Sequence, residues 1–286
     1  MNLKLFTCSF FSLIFLSSAI KLPKTLREEY KLIPGGLAKV DSDTLSLQTY
    51  YIKTYEVSNR EYNQFLRELE ENGTEEERRQ ARIRNENWNS EFENMNLKTF
   101  SELYHTHSAF ADYPVVNITF EGAKLYCKWV EKKINEELKK AGIRVKVRLP
   151  ERAELIRAGA GDDLWSSYAW KGAYMRNAKG NFLCNFTCIP QSFVTRDEEG
   201  SLTVVEGNKF SEEKETYLIA HKKSYWPSEF GVYNLNGNVS EMTARKGEAV
   251  GGSWSDLGYD VRLQSLSSYQ EASCKVGFRV VFSIGS

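Results

Sequence analysis

The chain has 286 residues and carries 38 basic and 38 acidic side chains, so its formal net charge at pH 7 is zero. This balance disfavours binding to nucleic acid or to an anionic membrane surface through net charge. A hydrophobic fraction of 41% with only 6 prolines excludes a disordered or fibrous protein. The composition therefore predicts a globular protein with no nucleic-acid partner.

Residues 1–19 have the pattern of a cleaved signal peptide. Lys4 precedes an apolar stretch that ends in Ser17-Ser18-Ala19, and a signal peptidase recognises small residues at such positions. The apolar run is short for a bilayer core of ~30 Å and a polar chain follows it, so no permanent membrane span is expected. Cys8 lies too near the N-terminus to become a lipid-accepting first residue. We expect an exported protein, periplasmic, extracellular or associated with the cell envelope, whose single domain spans residues 20–286.

Removal of the signal peptide leaves four of the 5 cysteines, namely Cys127, Cys184, Cys188 and Cys274. In an oxidising compartment four cysteines can form two disulfides. Cys184 and Cys188 are close enough in sequence to pair across a tight loop. Buried thiols that serve as small apolar side chains are equally compatible with the pattern.

Between Glu29 and Gln64 the sequence predicts a strand, a turn, a second strand and a helix. The apolar run YKLIP leads into the Pro34-Gly35-Gly36 break, and the run LSLQTYYIKTYEV follows it. Ser58 and Glu61 have the spacing of a capping box at the start of the helix. The apolar face of that helix is formed by Tyr62, Phe65 and Leu66.

The next stretch, residues 67–97, is densely charged, which favours a solvated helical excursion. A second long helix is predicted from Thr119 to Lys140, with the apolar positions Phe120, Ala123, Leu125, Trp129, Ile134 and Leu138. A short helix is predicted from Glu151 to Ala158. Beyond Gly159 the richness in Gly, Asn, Asp and aromatic residues indicates short strands and turns held by side-chain hydrogen bonds, ions or disulfides.

A set of short strings occurs in a characteristic order along the chain. They are Ile33-Pro34-Gly35-Gly36, Tyr55-Glu56-Val57-Ser58-Asn59, Tyr113-Pro114-Val115-Val116, Arg148-Leu149-Pro150-Glu151, residues 230–241 (FGVYNLNGNVSE), Gly251-Gly252-Ser253-Trp254 and Gly277-Phe278-Arg279. The set resembles the formylglycine-generating enzyme (sulfatase-modifying factor) family over nearly the whole mature chain. The resemblance implies an α+β fold, related to C-type lectins, that is irregular and has little regular secondary structure.

Further strings are most similar to one branch of that family, the gliding-motility and type IX secretion lipoproteins. They lie at residues 104–107 (YHTH), 168–172 (YAWKG) and 177–186 (NAKGNFLCNF). The resemblance implies a protein of the cell envelope without sulfatase activation. The chain departs from this branch because it has no credible lipid-accepting cysteine.

The segment from Asn234 to Glu241 offers a carboxamide oxygen, backbone carbonyls and a carboxylate within eight residues. Ca²⁺ takes six to eight such oxygen ligands. The resemblance implies a calcium site formed by Asn234, Gly237, Val239 and Glu241. An Asn/Gly turn in which Glu241 satisfies local amides is the alternative.

The resemblance also implies a second calcium site, at Asn185, Phe186 and Glu199. Asp197 competes with Glu199 for that role because the intervening loop varies within the family. This assignment depends on the register of the loop.

The enzymes of the family oxidise a substrate cysteine with a pair of active-site thiols that hold Cu(I). In this sequence the pair falls near Asp260 and Ser265, and neither is a cysteine. Soft thiolates bind Cu(I), and hydroxyl or carboxylate oxygens do not replace them. Ser240 stands where the oxidase has an aromatic residue, and Cys274 alone cannot supply two sulfur ligands. We therefore assign no catalytic residue and do not expect copper.

Other residue patterns allow two interpretations each. His105 and His107 could hold a metal on an extended segment, but with no third ligand evident nearby a loop-packing role is favoured. Asn72, Asn117, Asn185 and Asn238 each begin a glycosylation sequon, which has no meaning in a bacterial envelope. The aromatic residues of the second half either line a groove or fill the core; they are Trp165, Trp170, Tyr174, Phe182, Phe186, Tyr225, Trp226, Tyr233, Trp254 and Tyr259.

These patterns favour a non-catalytic, calcium-stabilised binding or scaffold protein of the cell envelope, linked to secretion or gliding machinery. The alternative is an oxidase that converts a substrate cysteine to formylglycine. The expected partner is an envelope protein or peptide, or a glycan, recognised through shape and aromatic contacts.

Overall fold

The computed structural model describes residues 22–88, 98–187, 193–196, 202–205 and 218–284. The predictions for residues 1–19, for Cys188 and for Asp197 and Glu199 lie outside these ranges. The helices are α1 (Lys24–Glu29), α2 (Asn59–Asn72), α3 (Glu75–Ala81), α4 (Lys98–Leu103), α5 (Phe120–Leu138) and α6 (Arg152–Ala160).

The strands are short, of two to five residues. They are β1 (Tyr30–Ile33), β2 (Gly36–Val40), β3 (Asp43–Leu47), β4 (Tyr50–Lys53), β5 (Val145–Arg148), β6 (Phe193–Arg196), β7 (Leu202–Val205), β8 (Ser240–Met242), β9 (Glu248–Val250), β10 (Leu266–Ser268), β11 (Val276–Gly277) and β12 (Val281–Ile284).

The strands form two four-stranded sheets and two hairpins. The first sheet has the order β1-β4-β12-β5, and β12 pairs antiparallel with both β4 and β5. Strand β12, near the C-terminus, therefore lies between β4, from the first fifth of the chain, and β5, from its middle. The second sheet has the order β10-β9-β8-β11, with β8 and β11 parallel. The hairpins β2-β3 and β6-β7 complete the described strands, and the α+β fold class is confirmed.

Helix α2 begins where the sequence predicts. The Ser58 backbone N–H and hydroxyl donate to the Glu61 carboxylate at 2.9 Å and 2.6 Å, which confirms the capping box. Tyr62 and Phe65 are buried, as expected for the apolar face. The charged stretch that follows continues α2 to Asn72 and then forms α3.

Helix α5 spans Phe120–Leu138, with Thr119 as its N-cap. Its buried stripe is rotated relative to the predicted one, because Tyr126, Cys127 and Val130 are buried, whereas Phe120, Leu125 and Trp129 are only half-buried. The Trp129 indole N–H donates to Glu68 at 2.7 Å, so this ring lies at the margin of the core, against α2. The short helix α6 runs two residues further than predicted, to Ala160.

Beyond α6 the described chain is irregular, and side chains provide many of its hydrogen bonds. Asn236 is one example, since its carboxamide accepts from the Ala169 N–H at 2.8 Å and donates to the Val261 carbonyl at 2.6 Å. Another is the Asp256 carboxylate, which accepts from both the backbone and the hydroxyl of Ser253. The predicted dependence of this region on side-chain hydrogen bonds is confirmed.

The three cysteines that the structure describes are buried in different clusters of apolar side chains. Cys127 lies in the cluster around α2 and α5, Cys184 in a cluster with Tyr168 and Phe186, and Cys274 in a cluster with Trp88 and Trp254. A pairing of Cys184 with Cys188 stays a prediction. None of the described helices combines the length and the apolar character needed to cross a membrane.

Candidate functional site

The segment 234–241, here called the asparagine turn, is buried along its whole length. Asn234, Gly237 and Asn238 all have positive φ values, of 54°, 69° and 63°. A Cβ atom at Gly237 would lie 2.0 Å from the carbonyl oxygen of Asn185, so only glycine fits there. Asn238 N–H donates to that same carbonyl at 2.8 Å. The structure thus brings Asn185, proposed for one calcium site, directly against the turn proposed for the other.

A buried ion pair closes the end of the asparagine turn. Arg279 Nε donates to Glu241 Oε2 at 2.5 Å, and Nη2 of the same guanidinium donates to Oε1. Arg279 also donates to the backbone carbonyls of Lys53, Thr54 and Tyr233. Both side chains are at most 3% exposed. Such bidentate charge-assisted pairs are strong and fix the orientation of both partners.

A second buried carboxylate, Glu56, lies on the other side of the turn. It accepts from Asn234 Nδ2 at 3.0 Å and from Asn238 Nδ2 at 2.8 Å. Burial raises the pKa of Glu56 to about 7, with Glu241 adding to the rise and Arg279 opposing it. In the sequence Glu56 stands within the Tyr55-Glu56-Val57-Ser58-Asn59 string, where no pattern indicates a role for its carboxylate. The residues around Glu56 do not indicate that its hydrogen-bond donors, Asn234 and Asn238, belong to the asparagine turn.

Two buried oxygens in this region have no hydrogen-bond partner among the described residues, namely Oδ1 of Asn234 and Oδ1 of Asn185. A buried carboxamide oxygen without a donor is costly unless a cation or water satisfies it. These two atoms therefore fit the oxygen chemistry of Ca²⁺. The Glu241 carboxylate, in contrast, already accepts from Arg279 on both oxygens. The implied ligand set thus fits a calcium ion in part, and no cluster of three His, Cys, Asp or Glu occurs within the described ranges.

Asp260 and Ser265 line an open groove of about 450 Å³. We call it the polar groove, and its polar side chains are Asp41, Arg152, Asp256, Asp260, Arg262, Gln264, Ser265 and Ser267. Asp260 is exposed and Ser265 is half-buried, whereas Ser240 is buried in β8. The position expected for the thiol pair is therefore accessible, but Ser240 does not line it.

An ion pair crosses the end of the polar groove. Arg152, at the first turn of α6, donates to both oxygens of Asp41 at 2.8 Å and 2.9 Å. Asp41 lies between β2 and β3 with a φ of 54°, and the Arg152 guanidinium holds the pKa of Asp41 below its ordinary value. Arg152 also donates to the Gln264 carbonyl at 2.7 Å. These contacts join the hairpin, α6 and the segment after Asp260 at one side of the groove.

An exposed aromatic ring lies beside this groove. Tyr259 is 69% exposed, and the Arg262 guanidinium stacks 3.5 Å from the centre of its ring. Trp165, Tyr174 and Trp226 are also at least half exposed, whereas Phe186 and Trp254 are buried. The aromatic residues of the second half therefore divide between core and surface.

The two neighbouring histidines point into different surroundings. His105 is buried and its Nε2 lies 3.1 Å from the Val116 carbonyl, and burial lowers its pKa to about 3. His107 is exposed, and its Nδ1 accepts from the Ala109 N–H. They do not form a common metal site, and His105 has the packing role that the sequence favoured.

Comparison with known proteins gives a family and a fold. Residues 19–284 match the family described as "Sulfatase-modifying factor enzyme 1-like domain". Three solved structures are similar at low identity. PvdO from Pseudomonas aeruginosa has 13% identity and a TM-score of 0.52, and the match covers 89% of this chain and 94% of PvdO. CarF has 18% identity and a TM-score of 0.52, with 88% of this chain and 97% of CarF covered, and variable protein 1 of Treponema denticola has 15% identity and a TM-score of 0.50, with 88% and 94% covered. A comparison with curated proteins finds no match.

Proposed function

Because the chain belongs to the sulfatase-modifying factor enzyme 1-like family, we propose that it is an exported, calcium-stabilised and non-catalytic binding or scaffold protein of the cell envelope. The observation that carries this proposal is the polar groove. It is open where the family resemblance places the thiol pair, and its side chains there are Asp260 and Ser265. The site keeps the space for a ligand and lacks the nucleophiles.

The alternative, oxidation of a substrate cysteine to formylglycine, requires two thiolates at the groove. The described cysteines Cys127, Cys184 and Cys274 do not line it, and each is buried in the core. Burial raises the pKa of Cys127 to about 12, which keeps that thiol protonated. A carboxylate and a hydroxyl cannot act as soft ligands in their place.

The chemistry of the polar groove suits an extended peptide or a glycan. Arg262 and Gln264 supply donors, Asp256 and Asp260 supply acceptors, and the exposed ring of Tyr259 offers an apolar face. Polar groups beside an exposed aromatic ring are typical of surfaces that bind peptides or sugars by hydrogen bonds and stacking. More narrowly, we propose that the partner belongs to secretion or gliding machinery. This rests on the strings near Tyr104, Tyr168 and Asn177, which resemble the gliding-motility and type IX secretion branch.

Mass spectrometry separates the two functions. We expect a Cys-x-Pro-x-Arg peptide to keep its mass when it is incubated with the protein, Cu(I) and oxygen. The double variant Asp260→Cys with Ser265→Cys is expected to gain Cu(I) binding, and each single variant is the matched control. An aldehyde product formed by the natural chain would overturn the non-catalytic proposal.

Binding is tested at the same groove. Peptides and oligosaccharides are screened against the natural chain, Tyr259→Ala and Arg262→Ala, with exposed Lys132→Ala as the control. A ligand of the polar groove loses affinity in the first two variants and keeps it in the control. Ligands that bind all four proteins equally would place the binding surface elsewhere.

The calcium proposal rests on the unpartnered oxygens of Asn234 and Asn185. If bound, the ion would supply the positive charge that these buried oxygens lack, and it would stabilise the folded state by mass action. We expect chelator to lower the melting temperature. The difference between melts with Ca²⁺ and with chelator is expected to shrink in Asn185→Ala, which removes one of the two oxygens, and to stay unchanged in the exposed control Glu271→Ala. Equal melts of the natural chain in Ca²⁺ and in chelator would refute calcium binding.

A further inference from the structure

A second cavity, of about 490 Å³, lies between helix α5 and strand β5 and shares no residue with the polar groove. Lys124, Lys128 and Lys146 stand at its rim, and Cys127, Val147 and Leu149 form its floor. We call it the lysine groove. The binding proposed for the polar groove does not involve this cavity.

The secondary structure explains this arrangement. On α5, Lys124 and Lys128 are four residues apart and therefore lie on one face of the helix, with Cys127 between them. On the edge strand β5, Val145 and Val147 are buried against α5, and Lys146, which alternation places on the other face of the strand, is exposed and lines the groove at its border. The two elements thus direct lysines outward on both sides of an apolar floor.

The floor is apolar and well shielded. Val147, Leu149 and Cys127 are each at most 5% exposed. Burial is the largest cause of the raised pKa of the Cys127 thiol, about 12, so the thiol stays neutral and acts as a small apolar group. A ligand that enters the groove meets carbon and sulfur at its base.

β5 is an edge strand of its sheet, but its outer edge is already satisfied. Val147 N–H donates to the Glu131 carboxylate at 2.8 Å, and Asn135 pairs with both the N–H and the carbonyl of Val145, at 2.8 Å and 3.0 Å. An incoming strand would find no free backbone groups at these positions. A ligand must therefore use the side chains around the groove.

The charges at the groove are unbalanced. Arg148 is held by both oxygens of Glu154, and Lys246 by Glu121 at 2.5 Å. Lys124, Lys128 and Lys146, in contrast, form no ion pair with any described residue. The only carboxylate in the lining, that of Glu131, is engaged by the backbone of β5. Three ammonium groups without a close ion pair to a described residue thus surround an apolar cavity in a chain whose net charge is zero, and that of Lys124 lies 5.7 Å from the centre of the Phe120 ring.

We propose that the lysine groove binds an acidic segment of a partner protein, with carboxylates against the lysines and an apolar side chain on the floor. Complementary charge provides partner selection and the apolar contact provides affinity. The recessed floor favours a protruding side chain over a flat lipid surface. This surface is separate from the polar groove, so either proposal can fail without the other.

The test uses the full chain and a fluorescent peptide of roughly twelve residues with Glu at positions i and i+4 and Leu at i+3 and i+7. The triple variant Lys124→Glu, Lys128→Glu, Lys146→Glu is expected to lose roughly tenfold in affinity at low salt. The control is Lys139→Glu, Lys140→Glu, Lys179→Glu, which reverses three exposed charges at residues that do not line the groove. It is expected to keep its affinity within roughly a factor of two. Far-UV circular dichroism checks that both variants fold, and Lys→Gln versions repeat the comparison with a smaller change.

Each outcome decides the proposal. Equal losses in the two triple variants would show that net charge alone attracts the peptide, and equal binding of a peptide with Ser in place of Leu would show that the floor is not used. Either result overturns the proposal. Binding to vesicles of anionic phospholipid that is lost in the groove variant, without peptide binding, would replace it with a membrane surface.

Discussion

At the scale of single residues, the buried pair of Glu241 and Arg279 organises the candidate site. Arg279 contacts the carbonyls of Lys53, Thr54 and Tyr233 as well as the Glu241 carboxylate. One guanidinium thus joins β4, the loop before the asparagine turn and β8. The Gly277-Phe278-Arg279 string was informative as a resemblance, but the partner of its arginine lies 38 residues away and no local pattern identifies it.

Removal of one charge of this pair tests its importance. We expect Arg279→Gln to lower the free energy of unfolding by about 3–5 kcal/mol, because it leaves the Glu241 carboxylate buried without its counter-charge. Adding Glu241→Gln should recover part of that loss. Urea denaturation of the two single variants and the double variant measures the coupling. A double variant as unstable as the sum of the singles would show that the two groups do not depend on each other.

His105 predicts a pH dependence. Its folded-state pKa is lowered to about 3, first of all by burial, whereas an unfolded chain protonates near pH 6.5. As the pH falls, the unfolded state thus binds the proton before the folded state does. The free energy of unfolding is therefore retained above about pH 6.5. It decreases as the pH drops towards 3, by up to about 1.4 kcal/mol per pH unit. Urea unfolding between about pH 7 and pH 5 should show a shallower slope in His105→Gln. Exposed His107→Gln is the control, and a slope that is equal in all three proteins would contradict the argument.

At the scale of elements, α2, α5 and α6 were predictable, whereas α1, α4 and most of the strands were not. Local signals define α2, α5 and α6, since caps and apolar spacing lie within each segment. Strands β8 to β12 have two to four residues each, which is too short for periodicity to identify them. The partners of β11 and β12 are also remote in sequence. The buried face of α5 also differs from the predicted one because of a contact with another element. Trp129 donates to Glu68 of α2 and therefore stays at the edge of the core.

Two of the three described capping boxes, those of α2 and α3, offer a matched comparison. In the box of α2, Glu61 also binds the ammonium group of Lys53 at 2.5 Å, and Lys53 is buried. In the box of α3, Glu77 accepts from Thr74, is half-buried and has no ion pair with a buried lysine among the described residues. We expect Glu61→Gln to cost about 2–3 kcal/mol, because Lys53 loses its nearest counter-charge, and Glu77→Gln to cost at most about 1 kcal/mol. Chemical denaturation measures both, and equal losses would show that the buried lysine contributes nothing.

At the scale of the whole molecule, the fold brings together segments whose relation the sequence does not reveal. Asn185 and Gly237 were assigned to two calcium sites, and the structure pairs them in one isolated bridge. Glu56 joins the same region from before α2. A resemblance by ordered strings predicted the fold class, because the strings mark its turns. It did not predict which polar atoms meet, since those contacts depend on the packing of the complete chain.

The sequons provide a test of the whole fold and of export together. Of the four, Asn72 is exposed at the end of α2, whereas Asn117, Asn185 and Asn238 are fully buried. A glycan on a buried asparagine would prevent folding, because its polar bulk cannot enter a packed interior. When the full chain is produced in a glycosylating secretory host, we expect the folded, secreted fraction to carry a glycan at Asn72 alone. Mass spectrometry of the natural chain and of Asn72→Gln locates it.

The two ways in which this expectation can fail have different meanings. A glycan on Asn185 or Asn238 in folded, secreted protein would contradict the buried asparagine turn and with it the calcium site. A chain that stays inside the cell with residues 1–19 intact and no glycan would contradict export and leave the buried network untouched. Because any glycan requires passage through the secretory route, its presence at Asn72 would support export and the fold in one measurement.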